Sequence, residues 1–480
     1  MAVLYLFAFL AAVLVGYRLR SQQSEQTNHG LEPWAIATAM AAIVSVGIAT
    51  VQWTLALNLG IWMVDLAPWQ RPSANVGQPN HFSTICFLGL TSLGYLHQRR
   101  CIGVSGFWLG AAWMMVGIVL SGSRTGWLQV VLLAGFMWVL ADRSTVALPR
   151  RAFLALLLLL CGIAALWPSL SDALLLSEVR SAESTVSSGT RPQHWASMIE
   201  ALAQQPWTGY GWQQVSAAQF QVAADRPWVG EFIEHSHNLV LDLLIWNGIP
   251  IGLVLVAMVG WWFVTRWGAC RDGQTAWLLA GASGLLVHAL LEYPLDYAYF
   301  LIPFGLLIGA IDQGRQDAAD VRIGLPAVRL AGVVFVFALL ATGREVAEAE
   351  QSFRVLRLEA ARIGVDSIQS PEPDLRLLTQ LLAFQRFVRR EAKPNMTSEE
   401  LDEMRKVAER FGQASVLFRY ALATGLNGDP SKAARTLEGL CRMHTRQNCL
   451  EAVDAWHQAQ RQYPALQAVA APQVPPSPAR

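Results

Sequence analysis

Apolar stretches recur along the chain at about 1 to 17, 33 to 57, 82 to 96, 105 to 120, 127 to 141, 151 to 167, 238 to 264, 274 to 290, 298 to 311 and 327 to 342. Each approaches the ~20 helical residues that cross a bilayer, so the pattern predicts a polytopic membrane domain of about ten helices. The spans at 82 to 96 and 298 to 311 are short for one crossing and read as tilted, broken or re-entrant. From 343 to about 463 apolar and charged positions alternate at helical spacing instead, as in Leu375, Leu378, Leu381, Leu382 and Phe384 to Val388, which predicts a small water-soluble helical domain. Within it Ala421 to Leu440, with Gly428-Asp429-Pro430 between two helices, fits one unit of the tetratricopeptide type as well as it fits a plain bundle. The Pro-rich end, 464 to 480, reads as disordered. The expected fold class is all-α, with a membrane domain at 1–342 that includes a long loop at 168–237, and a soluble helical domain at 343–463.

Composition agrees. Of 480 residues 53% are hydrophobic and 15% charged, against ~25% charged in soluble domains, which excludes an ordinary soluble enzyme. A net charge of +1 without a basic block excludes a nucleic-acid partner. Up to residue 342 every cation is arginine, and the three lysines, Lys393, Lys406 and Lys432, all lie beyond it. Arg18, Arg20, Arg99, Arg100, Arg143, Arg150, Arg151, Arg266, Arg271, Arg315, Arg322 and Arg329 gather on every second connection. Arg71, Arg124, Arg180, Arg191 and Arg226 are spread over the alternate loops, a side that also receives the chain after 342. By the positive-inside rule this second side is periplasmic. The first apolar run ends in Arg18 and Arg20 without a cleavage signature, so it reads as an anchor with an outward N-terminus. Cys441 and Cys449 would then meet an oxidising compartment and are expected to pair. Two free core thiols are the alternative, and a metal site using His444 has too few ligands nearby. Cys86, Cys101, Cys161 and Cys270, in or near membrane helices, read as small apolar side chains.

On the periplasmic face four motifs break the apolar pattern. Val76-Gly77-Gln78-Pro79-Asn80-His81 opens one span, where Pro and Asn suit a helix start. Ser121-Gly122-Ser123-Arg124-Thr125-Gly126 is a turn between apolar helices, and its arginine must snorkel or meet an anion. The loop at 168–237 is too long for a mere connector. It carries Gly189-Thr190-Arg191-Pro192-Gln193-His194-Trp195, an amphipathic stretch from Met198 to Leu202, Pro206-Trp207-Thr208-Gly209-Tyr210-Gly211-Trp212, and Glu234-His235-Ser236-His237-Asn238 at the entrance to the next helix. The fourth motif is His288, Glu292, Tyr293, Pro294, Asp296 and Tyr297 between two spans. Singly, these are caps, packed histidines and interfacial tyrosines. Together they supply cations, a base and hydrogen-bonding groups for a reaction at a membrane surface.

Gly189-Thr190-Arg191, Trp195, Pro206, Gly209 and Gly211 resemble the long periplasmic loop of the O-antigen ligase and polymerase superfamily, as does Ser121-Gly122-Ser123-Arg124. His237-Asn238, nine residues and Gly248 resemble its ligase signature, with Ile251 where Gly, Thr or Tyr is expected. The Gln78-Pro79-Asn80-His81 run, His288 with Glu292-Tyr293-Pro294, and a helical tail are most similar to the bacterial PglL-type protein O-oligosaccharyltransferases, over residues 70 to 300. The resemblance implies en-bloc transfer of a glycan from undecaprenyl pyrophosphate to Ser or Thr of pilins or other periplasmic proteins, at the outer face of a bacterial inner membrane, with neither metal nor other cofactor.

The chemistry needs charge neutralised on a pyrophosphate leaving group and help for an attacking hydroxyl. Arg124 and Arg191 are the expected clamp. His237 is the expected base, with an ordinary pKa near ~6.5. Gln78 and Tyr293 would position donor or acceptor, and Asn80, His81, His235, Asn238 and His288 complete the expected binding set. Asp65, Glu231, Glu234, Glu292 and Asp296 lie on the same side, without paired ligand spacing for a metal. An O-antigen ligase acting on lipid A-core, or a polysaccharide polymerase, would use the same donor. A secondary transporter would also have broken helices, but the chain has no internal repeat and gathers its polar motifs at one face.

Overall fold

The computed structural model describes residues 2–22, 30–66, 70–174, 190–314, 325–361, 363 and 371–476. Arg180, Gly189, Arg315 and Arg322, singled out above, lie outside them, as does the very end of the Pro-rich tail. Among the described residues regular structure is helical throughout, with no strand. Each of the ten apolar stretches falls on a helix, nine of them with ends within about six residues, while the helix at 327 to 342 runs on to Ala360. Among the described residues five helices are long and apolar enough to cross a membrane: α1 (Ala2–Gln22), α2 (Glu32–Thr54), α4 (Val104–Ser121), α6 (Arg150–Ala173) and α9 (Leu239–Ala269). The protein is therefore an all-α, polytopic membrane protein.

The chain divides into two compact units. The membrane unit comprises Tyr5–Ser187 and Met258–Gly324. At its centre α3 (Pro79–Gln98) packs against α2, α4, α5 (Arg124–Leu140) and α10 (Gly273–Ala289) and is buried along nearly its whole length. Close packing without a hydrophobic drive between helices needs small residues at the contacts. At α1 and α11 (Ala298–Gln313) Gly305 and Gly309, one turn apart, admit the α1 backbone, and a Cβ at Gly309 would overlap the Val13 carbonyl.

The second unit joins Ser188–Ala257 to Leu325–Arg480. The loop expected over 168–237 is partly helical, with α6 running on to Ala173 and α7 (Arg191–Gln204) and α8 (Val215–Ala223) following. Met198, Ala201, Leu202, Val215, Ala218 and Val222 bury the apolar faces of α7 and α8 against Ile233, Leu241 and Ile245. No break occurs at the boundary expected at 342. The helix α12 (Leu325–Ala360) runs through it, because Gly343 is followed by Arg344-Glu345-Val346-Ala347-Glu348, rich in good helix formers. Then come α13 (Thr379–Arg389), α14 (Ser398–Phe411), α15 (Ala414–Leu426), α16 (Pro430–Met443) and α17 (Arg446–Gln462). Asp429 caps α16 by accepting from Lys432 N at 2.9 Å, and Cys441 and Cys449 are joined by a disulfide. Order also extends past 463, where a disordered tail was expected. Pro464–Ala468 forms a 3-10 turn, and Leu466 and Val469 are buried with Trp456. Two apolar side chains bury enough surface there to hold the backbone.

Candidate active site

Four of the singled-out residues, Arg124, Arg191, Asn238 and Gln78, stand at helix N-termini. Arg124 is the first residue of α5, behind Ser123, whose hydroxyl caps the helix by accepting from Gly126 N. The turn expected at 121–126 is thus shorter, because α4 runs to Ser121. Arg191 is the first residue of α7. Asn238 caps α9, its Oδ1 accepting from Val240 N at 3.0 Å and Leu241 N at 3.2 Å, with His237 one residue before it. Gln78 caps α3, its Oε1 accepting from His81 N at 2.7 Å. The caps satisfy first-turn N–H groups, and the positive partial charge of a helix N-terminus remains to favour an anion.

In the membrane unit Glu292, on the turn after α10 and only 5% exposed, gathers Gln78, Asn80 and His288. Gln78 Nε2 donates to its Oε2 at 3.0 Å and Asn80 Nδ2 to its Oε1 at 2.5 Å. His288 Nε2 lies 3.4 Å from the same Oε2. The other ring nitrogen of His288 is 2.9 Å from Thr84 Oγ1. Thr84 in turn pairs with Gln129, whose Nε2 donates to the Gly284 carbonyl at 2.8 Å. His81 is buried, its Nδ1 2.7 Å from the Tyr299 hydroxyl and its ring edge-on to Tyr297 at 4.5 Å. Tyr293 stacks on Tyr297 at 6.1 Å. His81, His288 and Glu292 carry ligand atoms within 4.8 Å of one another, the group among the described residues that could hold a metal ion.

The second unit holds Arg191, His235, His237 and Asn238. Its most telling feature is His237, a non-glycine residue with φ 58°. Left-handed backbone disfavours a side chain by about 1 kcal/mol and persists only where the surroundings over-determine it. They do so here. Ser236 N donates to Asp242 Oδ1 at 2.8 Å, Ser236 Oγ donates to the Asn238 carbonyl at 3.0 Å, and Trp195 Nε1 donates to the Ser236 carbonyl at 2.8 Å. His235 Nδ1 is 3.8 Å from Asp242 Oδ2. Upstream, Glu231 Oε2 meets Thr190 Oγ1 at 2.7 Å and His194 Nε2 at 3.0 Å. Burial pushes the Glu231 carboxyl up, but those hydrogen bonds, with the charges of His194 and His237, hold it below its ordinary value.

The segment leading to His237 is anchored on the C-terminal helices. Val229 N and Gly230 N donate to the Arg442 carbonyl, Trp228 Nε1 donates to the His444 carbonyl at 2.9 Å, and Glu234 pairs with Arg410 at 3.4 Å. Phe232 stacks on His444, whose Nε2 donates to the Gly412 carbonyl at 2.8 Å. Burial lowers the His444 pKa below 6.5, the Gly412 hydrogen bond working the other way. The unfolded chain therefore takes up a proton that the folded chain refuses. This contribution to stability is complete above 6.5 and is lost as pH falls through the depressed value. The thermal midpoint of the purified protein should drop between about pH 7.5 and about pH 5.5, and His444→Gln should flatten that part of the profile. An unchanged slope in the variant would assign the drop to another group.

Sequence reasoning named Glu292 and His194 within motifs and Glu231 among the acids without giving any of them a role, and missed Thr84, Gln129 and Asp242. The spacing of His288 and Glu292, i and i+4, was the available signal. The others are brought in from separate helices.

Two family descriptions match the chain: O-antigen ligase over residues 109–257, and the C-terminal part of virulence factor membrane-bound polymerase over residues 275–463. It is similar to a protein of Acinetobacter baylyi described as a general O-oligosaccharyltransferase, 28% identical over 455 residues that cover 93% of this chain and 79% of that protein. A second protein of the same organism, described as a ComP-specific O-oligosaccharyltransferase, is 30% identical over 246 residues, 50% of this chain and 44% of that protein.

Proposed function

We propose that this chain, which belongs to the O-antigen ligase superfamily and is an oligosaccharyltransferase, moves a glycan en bloc from undecaprenyl pyrophosphate to Ser or Thr of a pilin or other periplasmic protein. One observation carries the reading: Arg124, Arg191 and His237 each stand at or just before a helix N-terminus, where a guanidinium or imidazole and the positive end of the helix dipole together suit a phosphorylated substrate. The arginines neutralise the diphosphate as the anomeric carbon–oxygen bond breaks. His237, neutral, takes the proton of the attacking hydroxyl. Tyr293 and Asn80 orient donor or acceptor, while Gln78, already engaged as the α3 cap, offers its second N–H.

In this reading all ten apolar helices lie in a Gram-negative inner membrane, several of them tilted, and the motifs and C-terminal domain face the periplasm. The α15–α16 hairpin, akin to a tetratricopeptide unit, would dock the acceptor. Transfer to lipid A-core or to a growing polysaccharide is the second reading, favoured by the O-antigen ligase match over 109–257.

Purified protein with lipid-linked glycan should glycosylate a purified pilin and leave lipid A-core unlabelled, including after exhaustive chelation. Labelled lipid A-core in place of pilin would select the second reading. Activity lost on chelation and regained with a divalent cation would make His81, His288 and Glu292 a metal centre. Arg124→Lys and Arg191→Lys should each lower the rate at least about tenfold, since a point charge does not replace a two-pronged guanidinium.

A further inference from the structure

We propose that Glu292 is a positioning residue of the transfer reaction, the carboxylate that fixes which way the amides of Gln78 and Asn80 and the ring of His288 face. The inference rests on the reading that these residues serve transfer. Glu292 is buried at the end of the membrane unit's core, and its three neighbours come from two helices far apart in sequence. Gln78 and Asn80 both turn their NH2 ends towards it, at 3.0 and 2.5 Å. A carboxylate offers only acceptors, so the match is with its ionised form.

An amide side chain is nearly symmetric in shape, and only its hydrogen bonds decide whether oxygen or N–H faces a substrate. With Nδ2 held by Glu292, Asn80 keeps Oδ1 for an acceptor role. Gln78 is fixed at both ends, Oε1 on His81 N and Nε2 on Glu292. Behind Glu292, His288 leads through Thr84 to Gln129, and that chain ends on the backbone carbonyl of Gly284. A backbone carbonyl takes no proton, so the chain works as a strut and not as a proton path. Its effect is to hold the His288 ring against Glu292.

Replacing the carboxylate by an amide sets an NH2 group against donors. One buried donor loses its partner, or Asn80 turns over, and a buried unpaired donor corresponds to roughly ten- to hundredfold in a rate that depends on it. The exchange Gln78→Glu with Glu292→Gln should repair this. The carboxylate introduced at position 78 would still cap His81 N and would now accept from the amide at 292, and that amide's oxygen would still accept from Asn80. The long His288 contact and the second N–H of residue 78 are given up, so the repair is partial.

The test measures kcat and donor KM per mole of detergent-purified, monodisperse protein for wild type, Glu292→Gln, Glu292→Asp and the exchange pair. Glu292→Gln is expected to lose at least tenfold in kcat with donor KM within about threefold of wild type. The exchange pair is expected to recover part of that loss, at least about threefold, because Asn80 regains its acceptor while the second N–H of residue 78 stays lost. Wild-type kcat in Glu292→Gln, or an exchange pair no better than the single variant, overturns the proposal. If wild type transfers to no protein acceptor, the reading of the preceding section fails. If wild type transfers and Glu292→Gln equals it, the positioning role alone fails.

Discussion

His237→Ala is expected to abolish glycan transfer while the protein still inserts and accumulates. Removing a general base typically lowers a rate about 10²- to 10⁴-fold, enough to make glycosylated pilin undetectable in a cell. His237→Asn is the informative companion, because asparagine tolerates the left-handed backbone seen at φ 58° better than most residues but is no base. Both variants should bind lipid-linked donor, since Arg124 and Arg191 are intact. Normal pilin glycosylation by either variant would remove His237 from the mechanism. Loss of the protein from the membrane fraction in both would assign His237 to folding.

The second large effect is expected at Gly248→Ala. α9 is interrupted at Gly248, whose φ of 75° and ψ of 170° are open essentially to glycine alone. The break frees carbonyls that the Pro206–Gly211 loop satisfies: Tyr210 N donates to the Ile245 carbonyl at 2.8 Å, and Gly211 N to that of Trp246 at 3.1 Å. In return Ile249 N donates to the Pro206 carbonyl at 2.7 Å. The backbones approach so closely that a Cβ on Gly248 would overlap the Trp207 carbonyl. Alanine there forces either about 1–3 kcal/mol of backbone strain or withdrawal of the loop. Withdrawal would expose these carbonyls and loosen the core shared by α7, α8 and the start of α9, on which His237 depends. Transfer should fall at least about a hundredfold, with faster proteolysis at 206–211. Gly260→Ala in the same helix, with nothing within 4 Å of the added Cβ, should behave as wild type. Equal activity of the two variants would mean that the close approach carries no function.

The C-terminal helices take on a second meaning from the same unit. They were expected to form a domain of their own. In the structure α12 runs through the expected boundary, and Arg410, Arg442 and His444 hold the chain just before His237. Sequence could not show this, because the partners are some 200 positions away and the contacts run largely through backbone carbonyls, which leave no residue signature. The histidine motif was visible as Glu234-His235-Ser236-His237-Asn238, but its strained backbone was not.

What the sequence determined by itself is the class of molecule and the places where chemistry could occur. Hydrophobic runs of near-bilayer length specify helices because lipid gives an exposed backbone no other partner, and Gly, Pro, His and Arg within such a chain mark the interruptions. Only the tertiary structure decided that Gln78 and Asn80 turn to Glu292, that Gly209 and Gly248 meet, and that His237 is braced from the far end of the chain. Each of these is a pairing of polar or small groups across long sequence separations. Periodicity reports only how a residue faces its own helix, whereas which distant group completes its hydrogen bonds is settled when the helices pack.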